Sequence, residues 1–371
     1  MKKTLVALAA LAATASFAQS SVTISGAVST ALSSAQTTLG SGASTSALGF
    51  FQNGTGTTNV TFSGVEDLGG GMKALFLYEI DPAANLKDSA PPSGEVYVGL
   101  SGGFGTLRLG TPNQPSLGTQ AGRNPFGTKT GGGFGGVQGS AKVRMNASMR
   151  YDTPSFSGFS ASLGYGPEVP TSATAIGQIG ALSAGAAAGI AAGTVAAPTG
   201  VNSTFNTLAA GAAMVDIALN YANGPLAAGV SFVSQDAAAA TSTTIIGGSA
   251  GQRQTNYFVS YAFGDAKVFF GGHNQDNLAA AGTSTQQSGN NLGGSYTMGS
   301  LAFMANYALQ RMPANAAGAS QDQRIWGLGV DYNFSKRTGV YARMNQENRD
   351  NAAAAGASEI RNTMVGLIHR F

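Results

Sequence analysis

Between Val96 and Tyr151 the chain carries six basic side chains, Arg108, Arg123, Lys129, Lys142, Arg144 and Arg150, and no aspartate or glutamate. Clustered fixed charge of one sign attracts ions of the opposite sign, so these residues suit the attraction of anions rather than the making of bonds. Bond-making chemistry is poorly supplied. The sequence has no cysteine, and its only imidazoles are His273 and His369, which leaves zinc sites and Ser-His nucleophiles short of ligands and bases. The acidic pair Glu66-Asp67 precedes Leu68-Gly69-Gly70 between two segments of alternating polarity, the composition of a turn rather than of an acid-base pair. GGGFGG at 131–136 lacks the Lys-Ser/Thr ending of a phosphate loop. No enzymatic activity and no cofactor or metal is expected.

Composition narrows the class of element that positions these charges. Charged residues are 10% of the chain and glycine accounts for 54 positions, whereas a soluble globular protein carries about 25% charge. Met1 to Ala18 reads as a signal peptide: Lys2 and Lys3, an apolar run to Ala15, then Ser16-Phe17-Ala18 as a cleavage site. Loss of those two lysines lowers the formal charge of +3 by two, so the basic isoelectric point is no sign of a nucleic-acid partner. Two organisations fit the remainder, 19–371: a secreted Gly/Ala-rich adhesin, or a barrel whose outer face meets lipid. A barrel enzyme, such as an outer-membrane lipase or protease, would further need a nucleophile and base that the sequence does not group. The uncharged stretch Ala173–Ala197 is built from Ala and Gly with little transfer energy to drive insertion, and reads as an external loop.

Periodicity favours the barrel. Short segments of alternating polarity recur from Val22 to Phe371, separated by gaps that are alternately short and long. In extended chain, side chains alternate faces with a period of two. Trp326, Leu328, Val330, Tyr332 and Phe334 thus share one face against Gly327, Gly329, Asp331 and Asn333, and Leu301, Phe303, Ala305, Tyr307 and Leu309 form another apolar face. Short gaps such as Gly264-Asp265 and Ser335-Lys336-Arg337 suit tight turns. The long gaps, near 32–56, 82–93, 112–142, 167–213, 236–253, 276–289, 312–323 and 349–359, suit external loops. These positions predict an all-β, transmembrane antiparallel β-barrel of about sixteen strands, with both termini on the short-turn rim. A barrel of that size encloses water rather than packed side chains. The sixth strand is expected over 143–153, which turns Arg144 and Arg150 inward, opposite Met145, Ala147, Met149 and Tyr151. The same parity turns Arg108 inward.

VTFSGVEDLGGGMKALFLYEID (60–81), VYVGLSGGFGTLRLG (96–110), NASMRYDTPSFSGFSASLGYG (146–166), the run Tyr-x-x-Ser-Lys-Arg-Thr at Tyr332–Thr338 and the terminal VGLIHRF (365–371) together resemble the trimeric general porins of Gram-negative bacteria, in particular the neisserial and betaproteobacterial type. The resemblance covers nearly the whole chain after the signal peptide, apart from the external loops. It implies a homotrimer in the outer membrane, in contact with lipid and lipopolysaccharide. It also implies passive diffusion of ions and small hydrophilic solutes, and recognition of Phe371 by the outer-membrane insertion machinery. In that family the third external loop, here 112–142, folds inward and narrows the pore. The expected constriction is Arg108, Arg123, Lys129, Lys142, Arg144 and Arg150 with Glu79 opposing. For Arg123 and Lys129, placement at the rim against lipopolysaccharide phosphate is equally open. Asn59, Gly94 and Thr111 stand where the family usually carries arginine, Leu77 replaces a polar lumen residue, and Glu79 and Asp81 offer an acidic wall. The anion preference expected is therefore weak to moderate.

Overall fold

A computed structural model describes residues 21–52, 54–82, 93–132, 143–167, 213–236, 251–278, 284–313, 321–351 and 357–371. The signal-peptide segment 1–18, Lys142, most of the second loop and the stretch Ala173–Ala197 lie outside them. The strands are β1 (Ser21–Leu39), β2 (Ser44–Gln52), β3 (Asn59–Gly69), β4 (Met72–Ile80), β5 (Ser93–Gly102), β6 (Gly105–Thr111), β7 (Ser148–Asp152), β8 (Phe159–Gly166) and β9 (Met214–Asn223). The ring continues with β10 (Leu226–Gln235), β11 (Gly251–Phe263), β12 (Ala266–Leu278), β13 (Ser284–Met298), β14 (Leu301–Arg311), β15 (Gln323–Asn333), β16 (Thr338–Arg349) and β17 (Ala357–Arg370).

Each strand from β3 onward pairs antiparallel with the next, and β17 returns to β1, which closes the sheet. β2 and β3 run in the same direction along one neighbour: β1 pairs through Thr30–Thr38 with β2 and through Ser21–Ala27 with β3. They therefore occupy one stave, and the seventeen strands make the sixteen-stave barrel that the periodicity predicts. Closure matters because hydrocarbon offers no water to satisfy an exposed edge, whose unpaired N–H and C=O groups would each cost several kcal/mol.

Burial is inverted relative to a water-soluble domain. Val98, Leu292, Phe334 and Val365 are each more than 60% exposed on the outside, while Ser29, Asn256, Gln254 and His273 are at most 1% exposed within. The outward residues of β14 and β15 are those the alternation assigns: Phe303, Tyr307, Leu328 and Tyr332 are all exposed. Phe104, Phe156, Phe263, Phe334 and Phe371 lie at or beside the short turns and are exposed, forming a ring at one rim as an aromatic girdle at the headgroup level requires. The turns use the expected chemistry: Gly224, Gly264 and Gly299 have φ near +60°, and Ser335 Oγ accepts from the N–H groups of Arg337 and Thr338 at 3.1 Å.

Two strand expectations are corrected. The first long gap, 32–56, is largely sheet, because β1 runs on to Leu39 and turns back as β2. Ser, Thr, Ala and Gln dominate it, and its few apolar side chains, Leu32, Leu48, Phe50 and Phe51, do not make a run long enough to mark a strand by alternation. The sixth strand is not continuous over 143–153. Regular pairing is confined to Ser148–Asp152, Ala147 has φ of 48°, and Arg144 makes only an isolated bridge with Asn113. The left-handed residue breaks the alternation, so strand parity does not reach Arg144.

At the seam, Phe371 N–H donates to Gly26 O at 3.1 Å and Gly26 N–H to Phe371 O at 3.2 Å. A Cβ on Gly26 would stand 2.8 Å from the Phe371 ring and 2.3 Å from Asn59 O, so the close approach requires glycine. Deletion of Phe371 removes both bonds and the girdle residue. The expected outcome is a lower yield of assembled, heat-modifiable barrel on unboiled gels, and an unchanged yield would make the terminal contact incidental.

Candidate functional site

The segment after β6 enters the barrel and is held there by polar contacts. Pro115 opens the short helix α1 (Pro115–Ala121), where its missing N–H costs nothing, and Gly122 follows the end. Seven residues are too few for a stable isolated helix, so tertiary contacts must hold it. Its buried side is polar: Ser116, Thr119 and Gln120 are inaccessible. Asp216 on β9 accepts from Ser116 N–H at 3.1 Å and from its hydroxyl at 2.5 Å. Gln120 Nε2 donates to Asn256 Oδ1 at 3.2 Å, and Asn256 Nδ2 donates to Ser231 Oγ at 3.2 Å. Hydrogen bonds to a buried charge contribute about 1.5–3 kcal/mol each, against about 1 for neutral pairs, so Asp216 is the strongest single anchor.

Beyond the helix the loop follows the wall past β12 to β16. Pro125 lies against Gly293, and Phe126 against Gly329 with the Arg343 guanidinium 5.6 Å from its ring. Gly131 backbone meets Gly327 so closely that a Cβ there would stand 2.2 Å from Gly131 O. Part of the glycine-rich run thus lies on the inner wall, while 133–142 is outside the described residues.

The predicted basic residues are divided between three environments. Arg123 is corrected from both expectations, because it is fully buried between loop and wall. Its Nη1 lies 3.3 Å from His273 Nδ1 and its Nε donates to Gln120 O at 3.4 Å. Burial pushes its guanidinium down to about 9, and it presents no accessible charge to the passage. Arg108 and Arg150 converge on Asp152: Arg108 Nη1 donates to Oδ2, and Arg150 Nη2 donates to Oδ1 at 2.8 Å. Arg150 Nη1 also donates to Asn113 O at 2.7 Å, and the Tyr97 ring lies 5.5 Å from the Arg108 guanidinium.

The third environment is a mixed cluster. Arg144 Nη2 is 3.5 Å from Asp81 and its Nη1 3.9 Å from Glu79, and Nη1 donates to Asn113 Oδ1 at 3.2 Å. Glu79 Oε2 accepts from Asn59 Nδ2 at 3.0 Å. A Cβ on Gly94 would stand 2.1 Å from Glu79 Oε1, so two of the neutral positions noted in the sequence shelter this carboxylate. Lys129 donates from Nζ to Thr57 Oγ1 at 2.5 Å. Burial, then the charge of Glu79, pushes Asp81 up to about 6, although Arg144 and Lys129 act in the opposite sense. Burial also lowers the Lys129 ammonium, with Asp81 and Glu79 opposing.

Sequence reasoning missed three participants. Asp152 lies one residue beyond the acid-free window, Asp216 sits on a strand distant in sequence, and 54–58 carries no periodic signal. Asp152 and Asp216 both had a usable mark, a carboxylate at an inward position of a membrane strand.

A profile of the Gram-negative porin family matches residues 4–352. The chain is 29% identical over 360 residues to outer membrane porin protein 32 of Delftia acidovorans, covering 93% of this chain and 89% of that protein. It is 37% identical over 113 residues to the major outer membrane protein P.IB of Neisseria gonorrhoeae, a match covering 30% of this chain and only 32% of the neisserial protein. The fold superposes on the anion-selective porin from Comamonas acidovorans with a TM-score of 0.71 at 24% identity, over 95% of this chain and 100% of that one.

Asp216→Ala would leave Ser116 and the start of α1 without their acceptor. The expected outcome is a loosened loop, read as increased open-channel current noise and faster proteolysis within 112–132. Gel mobility of the assembled barrel should be unchanged, and a quiet, protease-resistant variant would show that the loop is held elsewhere.

Proposed function

The chain belongs to the Gram-negative porins, and on that premise we propose that its channel passes ions and small hydrophilic solutes by passive diffusion with a weak preference for anions. It is an outer-membrane β-barrel channel. The charge balance at the lumen carries the selectivity reading. Arg108, Lys129, Arg144 and Arg150 stand against Glu79, Asp81, Asp152 and Glu95, the last accepting from Asn113 N–H at 2.7 Å, so the formal charges cancel and the partial protonation of Asp81, pushed up to about 6, tips the balance to positive. A small positive excess in a confined passage favours anions without excluding cations. Arg123 adds no accessible charge, and Lys142 stays a proposed contributor. The name of the Comamonas porin states anion selectivity for that protein, and the same sign is proposed here with lesser strength.

The proposal extends to assembly. Residues 1–18 act as the export signal, Phe371 is read by the outer-membrane insertion machinery, and three copies associate through apolar outer faces. The exposed Val22, Ile24 and Val65 beside the β1–β3 seam support such a face. Lipopolysaccharide surrounds the long-loop rim.

A planar-bilayer recording in a KCl gradient tests the selectivity. The zero-current potential of the wild-type channel is expected on the anion side. Arg144→Glu replaces one positive by one negative charge and should move it to the cation side, Arg144→Ala should move it less, and Arg150→Ala should give a smaller shift than Arg144→Glu. An Arg144→Glu channel with unchanged selectivity would place the constriction elsewhere.

Asp81 also predicts a pH dependence. Its carboxyl, held up to about 6 with Glu79, Arg144 and Lys129 around it, is charged above that pH and neutral below it. Lowering the pH from about 7.5 to about 5 therefore removes negative charge and should increase anion preference. Asp81→Asn should be more anion-preferring at the higher pH and lose most of this dependence, and a wild-type channel indifferent to pH over that interval would contradict it.

A further inference from the structure

Between β2 and β3 the chain leaves the wall and crosses its inner face. Gly54 lies against the Tyr341 ring and Met364, where a Cβ would stand 2.6 Å from the ring. Gly56 lies against Ile368, at 2.7 Å for the same test. Tyr341, Met364 and Ile368 belong with Ala27 and Ala31 to an inward-facing cluster, each member at most 9% exposed. Apolar side chains facing a wet lumen would forfeit about 25 cal/mol per Å² of burial, and the backbone of 54–58 helps to cover them.

The segment is fixed at three further points. Ser29 N–H donates to Thr58 Oγ1 at 3.0 Å and the Thr58 hydroxyl donates to Ser29 O at 3.0 Å. Arg343 Nη2 donates to Thr55 Oγ1 at 2.9 Å while its Nη1 pairs with Asp331 at 2.7 Å. Lys129, near the tip of the inward loop, donates to Thr57 at 2.5 Å. The third loop covers the wall from β8 round to β16, and 54–58 continues the cover across β16, β17 and β1.

We propose that Gly54–Thr58 is a second constriction element, a fixed lip that meets the third loop at Lys129 and confines solutes to the β3–β7 side of the lumen. The open arc then carries Glu79, Tyr97, Arg108 and Arg150, so the lip sends every solute past the charged groups. A passage walled on one side by the loop alone would leave a second route along the apolar cluster of β17 and β1, away from these charged groups. The inference rests on the channel reading.

The natural absence of cysteine permits a clean test. Thr57→Cys, labelled with a bulky methanethiosulfonate reagent and checked by mass, should lower single-channel conductance, because the label projects from the lip into the remaining passage. Deletion of Gly54–Gly56 should raise conductance and admit larger neutral sugars in liposome swelling. Fully labelled Thr57→Cys channels with wild-type conductance would overturn the proposal whether or not the deletion variant assembles. An assembled deletion variant with unchanged conductance and size limit would overturn it too. Failure of the wild-type protein to conduct at all would instead remove the channel reading on which it rests.

Discussion

The pairing of β1 with β17 is the contact on which the rest of the barrel depends. It runs from Ala27 opposite Arg370 to Leu39 opposite Ala357, and it removes the two free edges that a linear sheet would expose to hydrocarbon. Without it the outward Leu, Val and Phe residues could not face lipid, since an open edge there would leave backbone groups unsatisfied. With it, apolar side chains are expelled outward and polar ones collected inside. A large ring cannot fill its interior with side chains, so the same closure that makes the barrel stable makes it hollow.

That hollow is what the inward segments modify, and they are held by the only chemistry a polar interior offers. α1 rests on Asp216 and Asn256, and Arg123 on His273, where a soluble core would use leucine and phenylalanine. Such contacts are directional, so they fix the position of the loop more sharply than an apolar surface would, and breaking one leaves a buried group without its partner. Glycines on the wall, as at Gly327 beneath Gly131, let backbone lie on backbone and keep the loop thin. Apolar cover occurs as well, where Phe126 lies against Gly329 and where Gly54 and Gly56 lie on the Tyr341, Met364 and Ile368 cluster.

The sequence made legible what repeats. Strand positions from β3 to β17 agree with the alternation to within a few residues apart from the shortened β7 and the early start of β13, because lipid on one side and water on the other impose a period of two. Phe371 and the Gly-containing turns were readable for the same local reason. The upper half of β1 and all of β2 were not, since Ser, Thr, Ala and Gln dominate there and the apolar positions Leu32, Leu48 and Phe50 are too few to show a period. Arg144 was assigned to the lumen through a strand that Ala147 interrupts, and it reaches Asp81 by a different route. Arg123 was misread because a basic residue on a loop carries no mark of the wall that will bury it. Its partner His273 is 150 positions away.

The basic window between Val96 and Tyr151 also overstated the charge that a solute meets. Its residues are contiguous in sequence, but the barrel sets β4 and β7 near the same loop, and Glu79, Asp81 and Asp152 come into contact with Arg108, Arg144 and Arg150. Opposite charges within 4 Å of each other, much less than the screening length of about 8 Å at physiological salt, act on a distant ion chiefly through their sum. At the constriction itself the ion is close enough to meet the pairs separately, with guanidinium groups beside carboxylates. A compensated lining therefore does two things that a bare basic one does not. It keeps the barrier to cations low, and it makes the residual selectivity depend on the ionisation of single side chains rather than on the number of arginines.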